Sequence, residues 1–202
     1  MLKIENLSCQ RSNDLIFKNL SFEVSTGENL EIIGSNGSGK TSLLKCILGL
    51  IEKKQGHITW NEISLEESRT LFLKSCHYQG HQLALKNNFS VFQNLKFSHL
   101  AFNSNKKQIL YSLKEVGLSD FEHRICSDLS MGQLKRLALA KWLLDDHELY
   151  LIDEPFASLD QEGIDLVCSI IQRLNSKGCS FLFTSHTSSE INSKEVLLDK
   201  YS

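Results

Sequence analysis

A glycine-rich segment near the start of the chain limits the possible folds more than any other feature. It fits the pattern G-x-x-x-x-G-K-[ST] with the residues Gly34, Ser35, Asn36, Gly37, Ser38, Gly39, Lys40 and Thr41. An apolar run at 29–34 leads into it, and a helical pattern at 40–48 leads out of it. The sequence therefore predicts a strand, a loop and a helix in direct succession.

Such a loop is suited to binding phosphate. Its glycines let backbone N–H groups turn toward phosphate oxygens, and the helix N-terminus adds a partial positive charge. Lys40 can reach the β- and γ-phosphates of a nucleotide, Thr41 offers a hydroxyl to Mg²⁺, and Ser42 follows as a further nucleotide-binding candidate. The alternative, a glycine-rich turn that only caps a helix, is disfavoured by the strand–helix context.

A second candidate element is an apolar strand that ends in two carboxylates. The strand is predicted at Leu149–Ile152, and Asp153 and Glu154 follow it. Beside a phosphate loop, Asp153 can hold Mg²⁺ through water, and Glu154 can act as the general base that polarises an attacking water. Many buried strands end in acids, so this interpretation depends on the phosphate loop upstream.

Composition excludes several classes of protein. The 202 residues are 41% hydrophobic and 23% charged, with a formal net charge of -2, which gives no basic excess for nucleic acid. The six cysteines are dispersed without metal-site spacing, as expected for reduced thiols in a cytosolic protein. The first residues do not resemble a signal peptide, and no apolar stretch approaches the ~18 residues of a membrane span. Any membrane crossing is expected to belong to another chain.

The order of patterns predicts an α/β core interrupted by a helical insertion. The core is expected at about 1–81 and 148–202, and the insertion at about 82–147, within a single ATP-binding domain covering 1–202. Predicted strands lie at 2–7, 16–24, 29–34, 57–60, 75–78, 149–152, 181–184 and 196–198. Predicted helices lie at 40–48, 91–97, 106–116, 133–144 and 163–174, with Gly117 as a helix stop.

The segment Leu129-Ser130-Met131-Gly132-Gln133 resembles the LSGGQ signature of ABC ATPases. Physically it is a helix start, with Ser130 as the N-cap and Gly132 leaving backbone N–H groups open to an anion. The resemblance implies a P-loop NTPase (RecA-like) core with an N-terminal antiparallel β subdomain and an inserted helical subdomain. It also implies an ATP-bound, head-to-tail homodimer in which Ser130, Met131, Gly132 and Gln133 face the partner's γ-phosphate.

The same family pattern assigns expectations to further positions. Asp160 matches a residue that communicates across the dimer, and His186 matches the switch histidine that contacts the γ-phosphate, although a histidine after a strand is often structural. Arg11 stands where most members carry an adenine-stacking aromatic, and its guanidinium could stack instead. Gln82 or His81 occupies the place of the glutamine that contacts Mg²⁺ and water, with Gln82 favoured. Met131 departs from the first signature glycine.

The opening of the chain and the segment Tyr78–Lys86 also resemble the haem-exporter ATPases of the cytochrome c maturation system. This implies ATP hydrolysis coupled to release of haem-loaded chaperone, with integral membrane permease subunits as partners. It also implies a peripheral location on the cytoplasmic face of a bacterial inner membrane, or the organellar equivalent, without direct haem binding. Phe89 and Phe92 are candidates for contacting the membrane partner, or are ordinary core of the helical insertion.

Two other functions are left open by the sequence. One is an ATPase subunit of another small-substrate ABC transporter. The other is a soluble, non-transport ABC ATPase that clamps nucleic acid. The second is disfavoured because the sequence has neither a long coiled-coil insertion nor a strongly basic composition.

Overall fold

The computed structural model describes residues 1–11, 14–98, 104–144 and 147–201, and of Arg11 the backbone only. The chain divides into two compact units. The first comprises Met1–His81, His147–Ala157 and Ile171–Ser202, and the second comprises Gln82–Asp146 and Ser158–Ile170. The segment 158–170, which the sequence prediction counted with the core, therefore clusters with the second unit.

The chain opens with three strands, and three successive α-helices lie between the sixth and the seventh strand. The strands are β1 (Leu2–Arg11), β2 (Asp14–Val24), β3 (Asn29–Ile33), β4 (Lys53–Trp60), β5 (Ile63–Ser64), β6 (Cys76–Gln79), β7 (Leu149–Ile152), β8 (Ser180–Ser185) and β9 (Lys194–Leu197). The helices are α1 (Lys40–Ile47), α2 (Leu65–Ser75), α3 (Val91–Lys96), α4 (Lys106–Glu115), α5 (Met131–Trp142) and α6 (Gln161–Asn175).

The first unit contains two sheets. Strands β2, β1, β4 and β5 form an antiparallel sheet in that order, and β6, β7, β8, β3 and β9 form a parallel sheet in that order. Strands β7 and β8 are buried at every position, which explains their continuous apolar runs. Because the strands are parallel, the loops that follow β3, β6, β7 and β8 leave from the same edge, where α/β proteins bind ligands.

The second unit is helical, and three of its helices begin in the same way. Ser90, Asn105 and Ser130 are the N-caps of α3, α4 and α5, and each forms a reciprocal capping box with a glutamine three residues later. Helix α4 is followed by Gly117 at φ 73°, the left-handed conformation expected of a helix stop. The predicted stop at Gly117 is confirmed.

Most predicted elements are present with small shifts at their ends. Strand β1 continues to Arg11, beyond the predicted 2–7, and β4 begins at Lys53, before the predicted 57–60. Strand β5 and helix α2 were not predicted. Among the described residues, no helix combines the length and the apolar character that a bilayer crossing requires.

Candidate functional site

The glycine-rich loop follows β3 and leads into α1. Gly37 and Gly39 have φ of 85° and 100°, and Gly39 is the N-cap of α1 without a side-chain hydrogen bond to the helix. A Cβ at Gly39 would lie 2.2 Å from Ile16 Cγ2 on β2, so the antiparallel sheet allows only glycine there. No acidic residue occupies the first turn of α1, whose N-terminus is therefore electrostatically suited to an anion.

Lys40 lies almost fully buried beneath this loop, with 5% of its surface exposed. Its Nζ donates to Gly34 O at 2.7 Å and to Ser35 O at 3.1 Å. The same atom is 3.2 Å from His186 Nδ1 and 3.9 Å from Glu154 Oε1. The loop, the end of β7 and the end of β8 thus meet at one ammonium group.

The Asp153 carboxylate is held between two threonine hydroxyls. Thr41 Oγ1 donates to Oδ2 at 2.7 Å, and Thr184 Oγ1 donates to Oδ1 at 2.7 Å. Asp153 is 6% exposed, so these bonds replace the water that the carboxylate loses. Burial, and secondarily the charge of Asp153, raises the pKa of Tyr78 on the neighbouring strand β6.

Glu154 leaves the strand in an unusual conformation. Its φ is 56°, in the left-handed region that a residue with a side chain rarely adopts, and its N–H donates to Thr184 Oγ1 at 3.0 Å. Its Oε1 is 2.9 Å from His186 Nε2. Because the Lys40 ammonium can only donate, His186 Nδ1 is the acceptor and Nε2 carries the proton that points to Glu154.

Three residues that the sequence analysis did not assign also take part. Thr184 contacts both acids, and Asp199 accepts hydrogen bonds from Ser35 N at 3.0 Å and Ser35 Oγ at 2.9 Å. Glu31 on β3 is fully buried and accepts from Ser189 N at 3.1 Å, which ties down the loop after His186. The sequence signal for Glu31 is a charge inside a buried strand; Thr184 and Asp199 carry no such signal.

The signature segment begins helix α5 in the second unit. Ser130 Oγ accepts from Gln133 N at 3.3 Å, and Gln133 Oε1 accepts from Ser130 N at 2.9 Å. The predicted N-cap role of Ser130 is confirmed. Met131 is 65% exposed, and a Cβ at Gly132 would meet only Ser130 Oγ, at 4.0 Å, so this helix start is open.

Asp160, His81, Gln82 and Arg11 are the other residues to which the sequence analysis assigned a role. Asp160 directly precedes helix α6, and its Oδ1 accepts from Gly163 N at 2.9 Å. His81 and Gln82 both follow β6 with exposed side chains, and the choice between them stays a prediction. The Arg11 side chain lies outside the described part of the chain, so the adenine-stacking hypothesis does too.

A parallel sheet with this glycine-rich loop after one strand and an acidic pair after another defines the class of phosphate-loop nucleoside triphosphatases. Comparison with known proteins places the chain within that class. The sequence profile of the ABC transporter family matches residues 17–157, and by this match the chain belongs to that family, as an ATP-hydrolysing subunit. The fold class and the activity predicted from the sequence are confirmed.

Relatives and solved structures agree with this placement. Two relatives are named "Cytochrome c biogenesis ATP-binding export protein CcmA". The one from Vibrio vulnificus is 35% identical over 92% of both chains, and the one from Haemophilus ducreyi is 35% identical over 99% of this chain and 97% of its own. A putative ABC transporter ATP-binding protein from Pyrococcus furiosus has the same fold, with a TM-score of 0.86 and 24% identity over 100% of this chain and 98% of its own.

Proposed function

We propose that this chain powers an export step in the biogenesis of c-type cytochromes, with haem, or a chaperone loaded with haem, as the cargo. Similarity to the export proteins over almost the whole of both chains supports the cargo. The observation that carries the chemistry is the cluster in which the Lys40 ammonium, the His186 imidazole and the Glu154 carboxylate contact one another.

ATP is bound through its phosphates by the loop and the first turn of α1. Lys40 lies where an ammonium can neutralise the β- and γ-phosphates, and the uncapped amides at the N-terminus of α1 can donate to phosphate oxygens. The proposed binding residues are Gly34, Ser35, Asn36, Gly37, Ser38, Gly39, Lys40, Thr41 and Ser42, with Arg11 as a candidate for contacting adenine.

The residues beside the loop suit Mg²⁺. The Thr41 hydroxyl and the Asp153 carboxylate are 2.7 Å apart and offer hard oxygen ligands, which a magnesium ion combines with phosphate oxygens and water. Thr41 and Asp153, with Gln82 or His81, would hold the ion. When bound, the ion supplies charge neutralisation of the phosphates.

Glu154 is the proposed general base and His186 its partner. The carboxylate accepts a proton from water as the water oxygen bonds to the γ-phosphorus, and the bond from that phosphorus to the β–γ bridging oxygen breaks. The Nε2–H of His186 orients the carboxylate, and Lys40 compensates the charge that develops on the leaving ADP.

The second half of each site is proposed to come from another copy of the chain. The start of α5, with Ser130, Met131, Gly132 and Gln133, is open to solvent, and the N–H groups of its first turn other than that of Gln133, which Ser130 Oγ accepts, suit a phosphate oxygen. Two chains would close head to tail on two ATP molecules, and Asp160 would communicate across the resulting homodimer.

Export of the cargo is proposed to require integral membrane subunits as partners. Binding to them would place the chain peripherally at the cytoplasmic face of an inner membrane or its organellar equivalent. Phe89 and Phe92 are the residues proposed to contact these membrane subunits. The ring of Phe89 packs edge-on against that of the exposed Phe97, with the ring centroids 6.0 Å apart. The partners, rather than this chain, are proposed to handle haem.

The chemistry is tested with Glu154→Gln, which removes the base but keeps the shape of the side chain. We expect ATP to bind and hydrolysis to fall by at least about 10²-fold, the usual contribution of a general base. Lys40→Ala should instead lose ATP binding. Glu148→Gln is the matched control, because it is the same exchange at the opposite, exposed end of the β7 segment, and it should hydrolyse ATP at the wild-type rate. Wild-type turnover by Glu154→Gln would refute the assigned base.

The cargo is tested by purifying the tagged chain from its native membranes in mild detergent and identifying the proteins that come with it. We expect integral membrane proteins that handle haem to co-purify with the tagged chain and to be absent when the tag alone is used. Recovery of an unrelated permease would refute the cytochrome assignment and favour another small-substrate transporter, with the ATPase chemistry unchanged.

A further inference from the structure

We propose that Thr184 is a positioning residue that sets the relative geometry of Asp153 and Glu154. Its hydroxyl donates to Asp153 Oδ1 at 2.7 Å and accepts from Glu154 N at 3.0 Å. One side chain on β8 therefore connects the proposed magnesium ligand to the backbone of the proposed general base. The inference rests on the roles proposed above for those two acids.

The strand itself does not require a hydroxyl at this position. Phe181, Leu182 and Phe183 precede Thr184 on β8, and all four are fully buried. A valine has the same branched shape and suits a buried strand as well as threonine does. A buried hydroxyl is costly unless it is hydrogen-bonded, and both partners of this hydroxyl belong to the candidate site.

The Thr184 hydroxyl provides an acceptor for the Glu154 N–H, which lies beyond the end of β7. The last register pairs of β7 are Ile152 with Gln79 and Ile152 with Phe183, and Asp153 N still donates to Gln79 O at 2.8 Å. At Glu154 the chain turns out of the strand, and the Thr184 hydroxyl receives its N–H. A partly buried N–H left without this acceptor would favour another backbone conformation.

The backbone conformation of Glu154 determines where its carboxylate lies. Glu154 has φ 56°, a left-handed conformation that costs free energy for a residue with a side chain and persists only where its surroundings hold it. In this conformation the carboxylate lies 2.9 Å from His186 Nε2 and 3.9 Å from Lys40 Nζ. Loss of the Thr184 hydroxyl is therefore expected to release Glu154 and to leave Asp153 with one hydroxyl partner instead of two.

The test compares Thr184→Val and Thr184→Ser in the full-length chain. Thr184→Val keeps the shape and removes the hydroxyl; we expect kcat to fall roughly tenfold to hundredfold, as for a misplaced catalytic group. The affinity for ATP should stay within about threefold of wild type, since Lys40 and the loop are unchanged. Thr184→Ser keeps the hydroxyl and should restore kcat to within about threefold of wild type.

The same strand offers a matched control. Ser180, at the other end of β8, is 4% exposed, and its hydroxyl accepts from Gly27 N at 3.0 Å and donates to Ser25 O at 2.8 Å. Ser180→Ala thus removes a buried hydroxyl that likewise accepts from one backbone N–H and donates to one oxygen, away from the site. It should lose thermal stability as Thr184→Val does and keep its kcat.

Thermal unfolding of each variant separates a loss of folded protein from a loss of turnover. If Thr184→Val retains the wild-type kcat, or loses activity only in proportion to unfolded protein, the positioning role is refuted. Glu154→Gln, assayed beside it, tests the proposed function separately. If Glu154→Gln is inactive while Thr184→Val is fully active, this inference fails and the proposed base stands; turnover by Glu154→Gln would refute the base itself.

Discussion

Among single residues, Gly39 meets the strictest local requirement, because conformation and space both exclude a side chain there. Its φ is 100°, and an added Cβ would lie 2.2 Å from Ile16 Cγ2. Gly37 is the natural control, since its φ of 85° is also positive while nothing lies within 4 Å of an added Cβ. Gly37→Ala should lower the free energy of unfolding by about 1 kcal/mol, because of the strained backbone conformation alone. Gly39→Ala should lower it by at least about 2 kcal/mol, because the clash with Ile16 adds to the backbone strain.

The measurement is urea unfolding of both variants, with Ile16→Ala added to Gly39→Ala to remove the clash. Measured against Ile16→Ala alone, the added Gly39→Ala change should lower the free energy of unfolding only by the part due to φ. Equal free energies of unfolding for Gly37→Ala and Gly39→Ala would contradict the close approach of β2 to the loop.

Residues with one recognisable chemical task could be found from the sequence. Lys40, Thr41 and Asp153 stand at fixed places in patterns whose chemistry is known. The structure brings Thr41 to Asp153, and Lys40 to the neighbouring Glu154. Thr184 and Asp199 could not be found, because their partners depend on which strands are neighbours. The order β7, β8, β3, β9 places them beside residues far away in sequence, and no local pattern encodes that order.

At the scale of helices and strands, the sequence signals were strongest where local chemistry fixes an end. The serine or asparagine followed three residues later by glutamine marks the starts of α3, α4 and α5, and each start was predicted within two residues. For the signature helix, the periodic pattern was placed at 133–144, whereas the predicted N-cap Ser130 already pointed to the observed start at Met131.

Helix α2 was not predicted, because its apolar residues do not follow a clear helical period. Only Leu65, Ser68 and Phe72 are buried along it, while Leu71 and Leu73 are exposed at 63% and 45%. Apolar residues on both faces hide the helical period that the buried face alone would display. The N-cap was visible, since the Ser64 side chain accepts from Glu66 N, but a cap without a clear period does not identify a helix.

At the scale of the whole molecule, the proposal that each site is shared between two copies makes a prediction that a single-chain site does not. Lys40→Ala damages the phosphate loop, and Gly132→Asp places a carboxylate at the open start of α5, where there is room for a side chain. In a head-to-tail dimer, mixing the two variants creates one site with both defects and one site with neither. If each site belonged to one chain, every site in the mixture would carry a defect.

Binding is the better readout for this prediction, because it does not require two working sites for turnover. With Glu154→Gln added to both chains to prevent hydrolysis, each variant alone should stay monomeric with ATP in size-exclusion chromatography. The mixture should give a dimer that retains about one ATP per two chains, as head-to-tail geometry requires. Dimerisation by either variant alone, or a mixture that behaves as the sum of its parts, would contradict the shared site. The stoichiometry is informative in the dimer fraction alone, because the Gly132→Asp chain keeps an intact phosphate loop and can bind ATP without a partner. One ATP per dimer is expected where the intact loop of one chain faces the intact α5 start of the other.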